Sequence, residues 1–298
     1  MAGKVDRTLG DSAQRTGCAG SPMSVVIPAH DEERTIERCV SSLLEGAEQG
    51  ELEIIVACNG CQDGTVEVAS ALGGPVIVVV TETPSKRAAL NLGDEAASGF
   101  PRFYLDADVR MTVQGLRTVA AALDRPEVHV AAPGLVVDAS RSGWAVRSYY
   151  RFYQCLPSIE TDVAGRGVYA LSRAGWEQLG RFPDVTGDDH FIRSFFPARS
   201  RVVVPEVTSQ VEAPRTWSSL VRRKARILVG NKEVEALLGV DPGPGRGARG
   251  IVTVLRERPA RVLDLPAFVL VGLAARATHA RARALGREIP WGRDDSRG

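Results

Sequence analysis

The chain has 298 residues, 44% hydrophobic and 24% charged, with a net charge of +1. That is ordinary globular composition, enough for one large or two modest domains whose core needs no disulfide staples. Five scattered cysteines, Cys18, Cys39, Cys58, Cys61 and Cys155, exclude a disulfide framework and point to a reduced, cytoplasmic protein.

Residues 1–22 are polar, lack the apolar run of a signal peptide, and are expected to form a disordered leader. Met23–Pro28 is a β-branched run closed by proline, read as a buried strand. Asp31–Leu44 follows as a helix with Ile36, Cys39, Val40, Leu43 and Leu44 on one face. Strands are expected at Leu52–Ala57, Pro75–Thr81 and Arg102–Leu105, with helices at Gly64–Leu72 and Lys86–Ser98 between them. This alternation predicts an α/β fold, a doubly wound, mainly parallel sheet flanked by helices. A helix to Leu123, a strand at Val128–Ala132, an aromatic stripe over Gly143–Pro157, a strand at Val202–Pro205 and a basic helix at Trp217–Leu238 complete the pattern. The stripe, with Trp144, Tyr149, Tyr150, Phe152 and Tyr153, is expected in the core. The run Asp241–Gly247 is a helix breaker.

In doubly wound sheets ligands bind at the carboxyl ends of the strands. Three polar clusters fall there: His30 to Glu32, Cys58 to Asp63, and Asp106 to Asp108. Asp106 and Asp108 are alternate residues and face one ligand together as the strand ends. Two hard oxygen ligands suit Mn²⁺ or Mg²⁺, which complete their shells with water and substrate phosphates.

At these residues a resemblance becomes specific. SVVIPAHDEERTIERCVSSLL, EIIVACNGCQDGT, SKRAALNLG, YLDADV, GRGVYALSR and TGDDHFIR occur in order over roughly Ser24 to Gly230, and together they resemble glycosyltransferase family 2. The resemblance implies a GT-A fold over residues 23–215, with a nucleotide-binding half to about 110, an acceptor half beyond it, and a helical basic extension over 216–298. It implies an inverting transfer from a nucleotide-diphosphate sugar to a glycan or lipid-linked acceptor, in glycan, cell-surface polysaccharide or glycolipid synthesis. Pro28, Ala29, His30 and Glu32 would line the nucleotide pocket, with Asn59, Asp63 and Lys86 near the base or phosphates. Asp106 would face ribose and metal, Asp108 would be the principal metal ligand, and Asp189 would be the catalytic base. Asp188 beside it would raise its pKa by like-charge repulsion; both acids also suit the first turn of a helix.

Three departures stand out. Cys58 and Asn59 replace the family's adjacent aspartates, which leaves the donor base open between uracil, guanine and thymine. Arg223 and Arg226 have the spacing of the family's glutamine-arginine-tryptophan motif, with arginine for glutamine and Ile227 for tryptophan, implying an enzyme that adds one sugar. Arg222, Arg223 and Arg226 suit the donor diphosphate or a solvated face equally. Cys58–Cys61 is a C-x-x-C pair, but no second pair or spaced histidine completes a zinc site. His190 is read as a helix-start residue.

From Thr216 onward sixteen Lys/Arg face eight Asp/Glu, which suits phosphates, an anionic lipid surface, or simply a solvated arginine-rich face. Nucleic acid is disfavoured, because the basic residues alternate with aliphatics. Val262–Ala275, broken by Asp264 and Pro266, is too short to span a bilayer. Two readings stay open: an interfacial segment on anionic lipid, or a helix packed on the catalytic domain. A nucleotidyltransferase would need a glycine-rich phosphate loop where PAHDEE stands. A catalytically silent module would have no need of intact Asp106, Asp108 and Asp189.

Overall fold

The computed structural model describes residues 21–239 and 246–285. Most of the proposed leader, residues 1–20, and Asp241–Gly245 of the proposed breaker lie outside the described residues. Strand β1 (Met23–Ala29) pairs in parallel with β2 (Leu52–Asn59), and β2 with β3 (Val76–Thr81). On its other side β1 pairs in parallel with β4 (Arg102–Leu105). The chain thus reverses its direction of travel between β1 and β4, the switch point at which a crevice opens beyond the strand ends.

Beyond β4 the sheet is mixed. β7 (Val168–Leu171) runs antiparallel to both β4 and β6 (Val130–Asp138), while β8 (Arg201–Glu212) runs parallel to β6. The two-residue β5 (Val109–Arg110) closes the order β3-β2-β1-β4-β7-β6-β8-β5. The antiparallel half is the departure from the parallel sheet expected of simple βαβ alternation. β7 was not among the expected strands: VYAL is only four residues long, between the turn glycine Gly167 and the helix cap Ser172.

Alternation along the strands divides the core. Val25, Ile27, Ile54 and Val56 face α1 (Ile36–Leu44) and α4 (Val113–Ala122), while Val26 and Ile55 face α3 (Lys86–Ala96) and α8 (Asp188–Phe195). A third cluster joins α5 (Trp144–Tyr153), α9 (Trp217–Leu238) and α11 (Leu265–Ala284) through Val146, Tyr149, Leu220 and Val271. α11 is therefore packed on α5 and α9 along one face. Asp264 at its N-terminus accepts from Ser148 and Arg151 of α5 and from Arg261. Among the described residues no helix is long and apolar enough to cross a membrane.

Candidate active site

A cavity of about 610 Å³ opens at the carboxyl ends of β1 and β4, lined among others by Pro28, His30, Glu32, Lys86, Asp106 and Asp108. Asp188, Asp189 and Arg226 line the same cavity. Segments more than 190 residues apart in sequence thus converge there.

Asp106 and Asp108 flank Ala107, which is buried in the core. The Asp106 N–H donates to the Gly167 carbonyl at 2.8 Å, tying the strand end to the start of β7. Gly167 has φ +67°, and a β-carbon there would fall 2.4 Å from Val109 Cγ2 and 3.5 Å from Asp106 Oδ2. Only glycine fits this approach, and it keeps the space beside Asp106 clear. Among the described residues no group of three or more His, Cys, Asp or Glu could hold a metal unaided. Two half-exposed carboxylates with space beside them suit Mn²⁺ or Mg²⁺, whose remaining ligands are water and phosphate oxygens.

Lys86 opens α3, which Ser85 caps by accepting from the Ala88 N–H. Its ammonium lies 2.7 Å from Asp106 Oδ1 and 2.7 Å from Asp188 Oδ1. Burial opposes its charge, yet the two carboxylates outweigh burial and hold Lys86 well above its ordinary range. Asp188 is buried, and its other oxygen accepts from the Tyr169 hydroxyl at 3.0 Å. Burial, against the Lys86 ammonium but with the charges of Asp189 and Asp106, holds Asp188 above the usual carboxylate range.

Asp189 is oriented by backbone. Its Oδ2 accepts from the Gly165 N–H at 2.7 Å and its Oδ1 from the His190 N–H at 2.7 Å. Both acids occupy the first turn of α8, where the helix dipole favours them. His190 follows in that turn, its pKa lowered by burial and then by Arg193.

Three expected nucleotide contacts do not line the cavity. Asn59 is fully buried, its amide donates to the Ala29 carbonyl at 2.8 Å, and its own carbonyl accepts from His30 Nδ1 at 2.6 Å. Asn59 and Ala29 thus orient His30 rather than face the cavity. Asp63 Oδ1 accepts from Thr65 and Oδ2 from the Glu33 N–H, while Thr65 Oγ1 accepts from the Glu32 N–H. Asp63 therefore staples the β2 loop to the β1 loop. Cys58 and Cys61 are free thiols, and burial pushes the Cys58 thiol up to about 12.

Some cavity residues lie in segments the sequence marked, GRGVYALSR and the aromatic stripe, but were given no place in the site. Arg166 is almost wholly buried and donates to the carbonyls of Pro133, Ile159 and Asp162. It fixes the loop from which Gly165 holds Asp189 and Gly167 meets Asp106. Burial lowers its pKa to about 10. The aromatic stripe is split: Tyr149 and Phe152 are buried, Trp144 is exposed, and Tyr150 and Tyr153 line the cavity.

The fold is of the GT-A type. Residues 24–167, just under half of the chain, match the family model for Glycosyl transferase family 2. Among solved structures it is similar to the mannosyltransferase PcManGT from Pyrobaculum calidifontis, in complex with GDP-Man and Mn²⁺. The TM-score is 0.55 at 20% identity, over 90% of this chain and 80% of that one. Glycosyltransferase AglE of Haloferax volcanii is 24% identical over 89% of this chain and 85% of its own length. Glycosyltransferase AglD of the same organism is 29% identical over 58% of this chain, a match spanning 30% of that longer protein.

Proposed function

We propose that the chain is an inverting, metal-dependent glycosyltransferase that moves one sugar from a nucleotide-diphosphate donor to an acceptor hydroxyl. The observation that supports this most is the convergence of Asp106, Asp108 and Asp189 on one cavity. Asp106 and Asp108 would hold Mn²⁺ or Mg²⁺; Mn²⁺ is the ion in the structure of the mannosyltransferase that shares the fold. A divalent ion there would neutralise the leaving diphosphate.

The chain's own residues divide the remaining work. Pro28, His30 and Glu32 face the nucleotide at the end of β1, and Lys86 adds a fixed cation between Asp106 and Asp188. Asp189 takes the proton of the attacking hydroxyl. Two backbone N–H groups aim its carboxylate and leave lone pairs for that proton. Asp188 is reassigned: bound to Lys86 and Tyr169, it is a positioning residue beneath the base. The acceptor is a glycan or a lipid-linked sugar, and the exposed side of α11 rests on anionic lipid.

The test is a donor screen of the purified protein with Mn²⁺, offering UDP-, GDP- and dTDP-sugars and reading binding and slow hydrolysis. One nucleotide is expected to bind in a metal-dependent way, and Asp108→Asn to abolish that dependence. If no nucleotide sugar binds and Asp108→Asn changes nothing, the reading is wrong.

A further inference from the structure

α9 lays Arg223 and Lys224 against the cavity, and among the described residues neither meets a carboxylate within salt-bridge distance. Lys86 and Arg193, on the same cavity, are both paired with aspartates. The Lys224 ammonium instead lies over two phenol rings, 4.4 Å from the centroid of Tyr153 and 5.4 Å from that of Tyr149. Two aromatic faces offset only part of the hydration that a half-buried ammonium gives up. Burial and then the charge of Arg223 push Lys224 down to about 7. Two adjacent cations held in this way are stabilised by a bound anion.

Their place in the cavity says which anion. The Tyr153 hydroxyl lies 3.6 Å from where a β-carbon of Gly165 would stand, and the Gly165 N–H holds Asp189. The cations therefore sit on the side of Asp189, whereas Lys86 and the Asp106–Asp108 pair attend the other charge centre.

We propose that Arg223 and Lys224, backed by the faces of Tyr149 and Tyr153, form a subsite for a phosphate group carried by the acceptor, next to the hydroxyl that Asp189 deprotonates. A phosphate monoester carries nearly two negative charges at neutral pH, matching two cations where a carboxylate would match one. The inference rests on the reading of the Asp189 side as the acceptor side.

The experiment is calorimetric binding to the full chain of glycerol 3-phosphate against glycerol, and of oleoyl lysophosphatidic acid, which keeps a free hydroxyl beside its phosphate, against monoolein in micelles. Each is run with and without Mn²⁺ and the nucleoside diphosphate that binds most tightly. At least one phosphate ester is expected to bind about tenfold or more tighter than its alcohol, a gap of about 1.4 kcal/mol. Preference for glycerol 3-phosphate identifies a free metabolite, and preference for lysophosphatidic acid a lipid headgroup. Lys224→Met and Arg223→Gln should each weaken that ester about tenfold and leave nucleotide affinity within about twofold, while Lys224→Arg retains binding. Melting curves show whether each variant is folded; Arg223→Gln, with a half-buried side chain, serves if Lys224→Met is not. Equal binding of esters and alcohols overturns the proposal. So does a loss of nucleotide affinity as large as the loss of ester affinity, which assigns the cations to the donor. Ester binding without any nucleotide binding would instead sink the sugar-transfer reading and leave an anion site of another kind.

Discussion

Lys86 is the residue on which the two ends of the site depend, because its ammonium joins the strand-end Asp106 to the buried Asp188. Lys86→Met would leave Asp188 with the Tyr169 hydroxyl alone. Removing one partner of a buried pair costs roughly 3–5 kcal/mol, and the partial exposure of Lys86 places the expected loss at about 2–3 kcal/mol. The sign of its pH dependence follows from Asp188. A carboxyl held above its ordinary range binds more protons folded than unfolded between the two values, so stability falls as pH rises through that window. Without Lys86 that shift grows. The deficit against wild type is therefore largest near neutrality and shrinks toward the ordinary carboxylate range, as urea titrations at pH 7 and pH 5 would show. Asp189→Asn is expected to act differently. It keeps size and acceptor geometry for the Gly165 N–H but cannot take a proton, so turnover should drop about 10²–10⁴-fold. Nucleotide affinity measured alongside should hardly change; equal loss of both would move Asp189 to the donor.

Contacts between elements set how far apart the two acid centres lie. α8 and α9 meet at glycine: a β-carbon on Gly230 would fall 3.1 Å from the Gly187 nitrogen and 3.4 Å from its Cα. That close approach sets α8, with Asp188 and Asp189, beside the helix bearing Arg223 and Lys224. Gly230→Leu must push the helices apart and is expected to cost about 1–3 kcal/mol by overpacking. It should also depress transfer more than nucleotide binding, since β1 and β4 are untouched; steady-state kinetics set against a melting curve separate the two effects. The same scale shows what the sequence made legible. Arg102–Leu105 was read to its exact bounds, because an apolar run ending in Asp-Ala-Asp marks both the strand and the side its acids face. Val202–Pro205 caught only part of β8, whose twelve residues do not alternate regularly in burial and include a proline. VYAL of β7 escaped because its environment comes from antiparallel partners, Tyr169 opposite Tyr104, that local pattern does not encode. Asn59 and Asp63 were placed at a base because a polar strand-end loop can serve either a ligand or a neighbouring loop, and here both side chains bond to the β1 segment. The pairing of Lys224 with Tyr149 and Tyr153 needs α5 against α9, some 70 residues apart, and no spacing announces it.

At the scale of the whole molecule the basic C-terminal part has two faces with different roles. Val271 and Ala275 are buried in α11, and Tyr149 stacks on Phe268 at 5.4 Å, so this helix belongs to the wall behind the cavity. Deleting it would strip cover from α5 and α9, and so would confuse unfolding with any loss of lipid contact. The opposite side is exposed and apolar: Leu270 and Leu273 are 54% and 55% accessible at helical spacing, and Leu263, in the turn before the helix, is 83% accessible, with Arg276, Arg281 and Arg283 beyond them. An apolar stripe ending in arginines suits the boundary between headgroups and acyl chains, where burial of the stripe and attraction to anionic lipid add together. Point substitution on that side is the cleaner test. Leu270→Gln with Leu273→Gln removes no packed side chain, and melting should stay within about 0.5 kcal/mol of wild type. Flotation with anionic liposomes should fall sharply, and wild-type flotation should fall with salt as the arginine contribution is screened. If the double variant floats as well as wild type, the stripe is not the lipid face. If neither floats, the acceptor reaches the cavity from solution, and the glycerol 3-phosphate arm of the binding experiment should then be the one that responds.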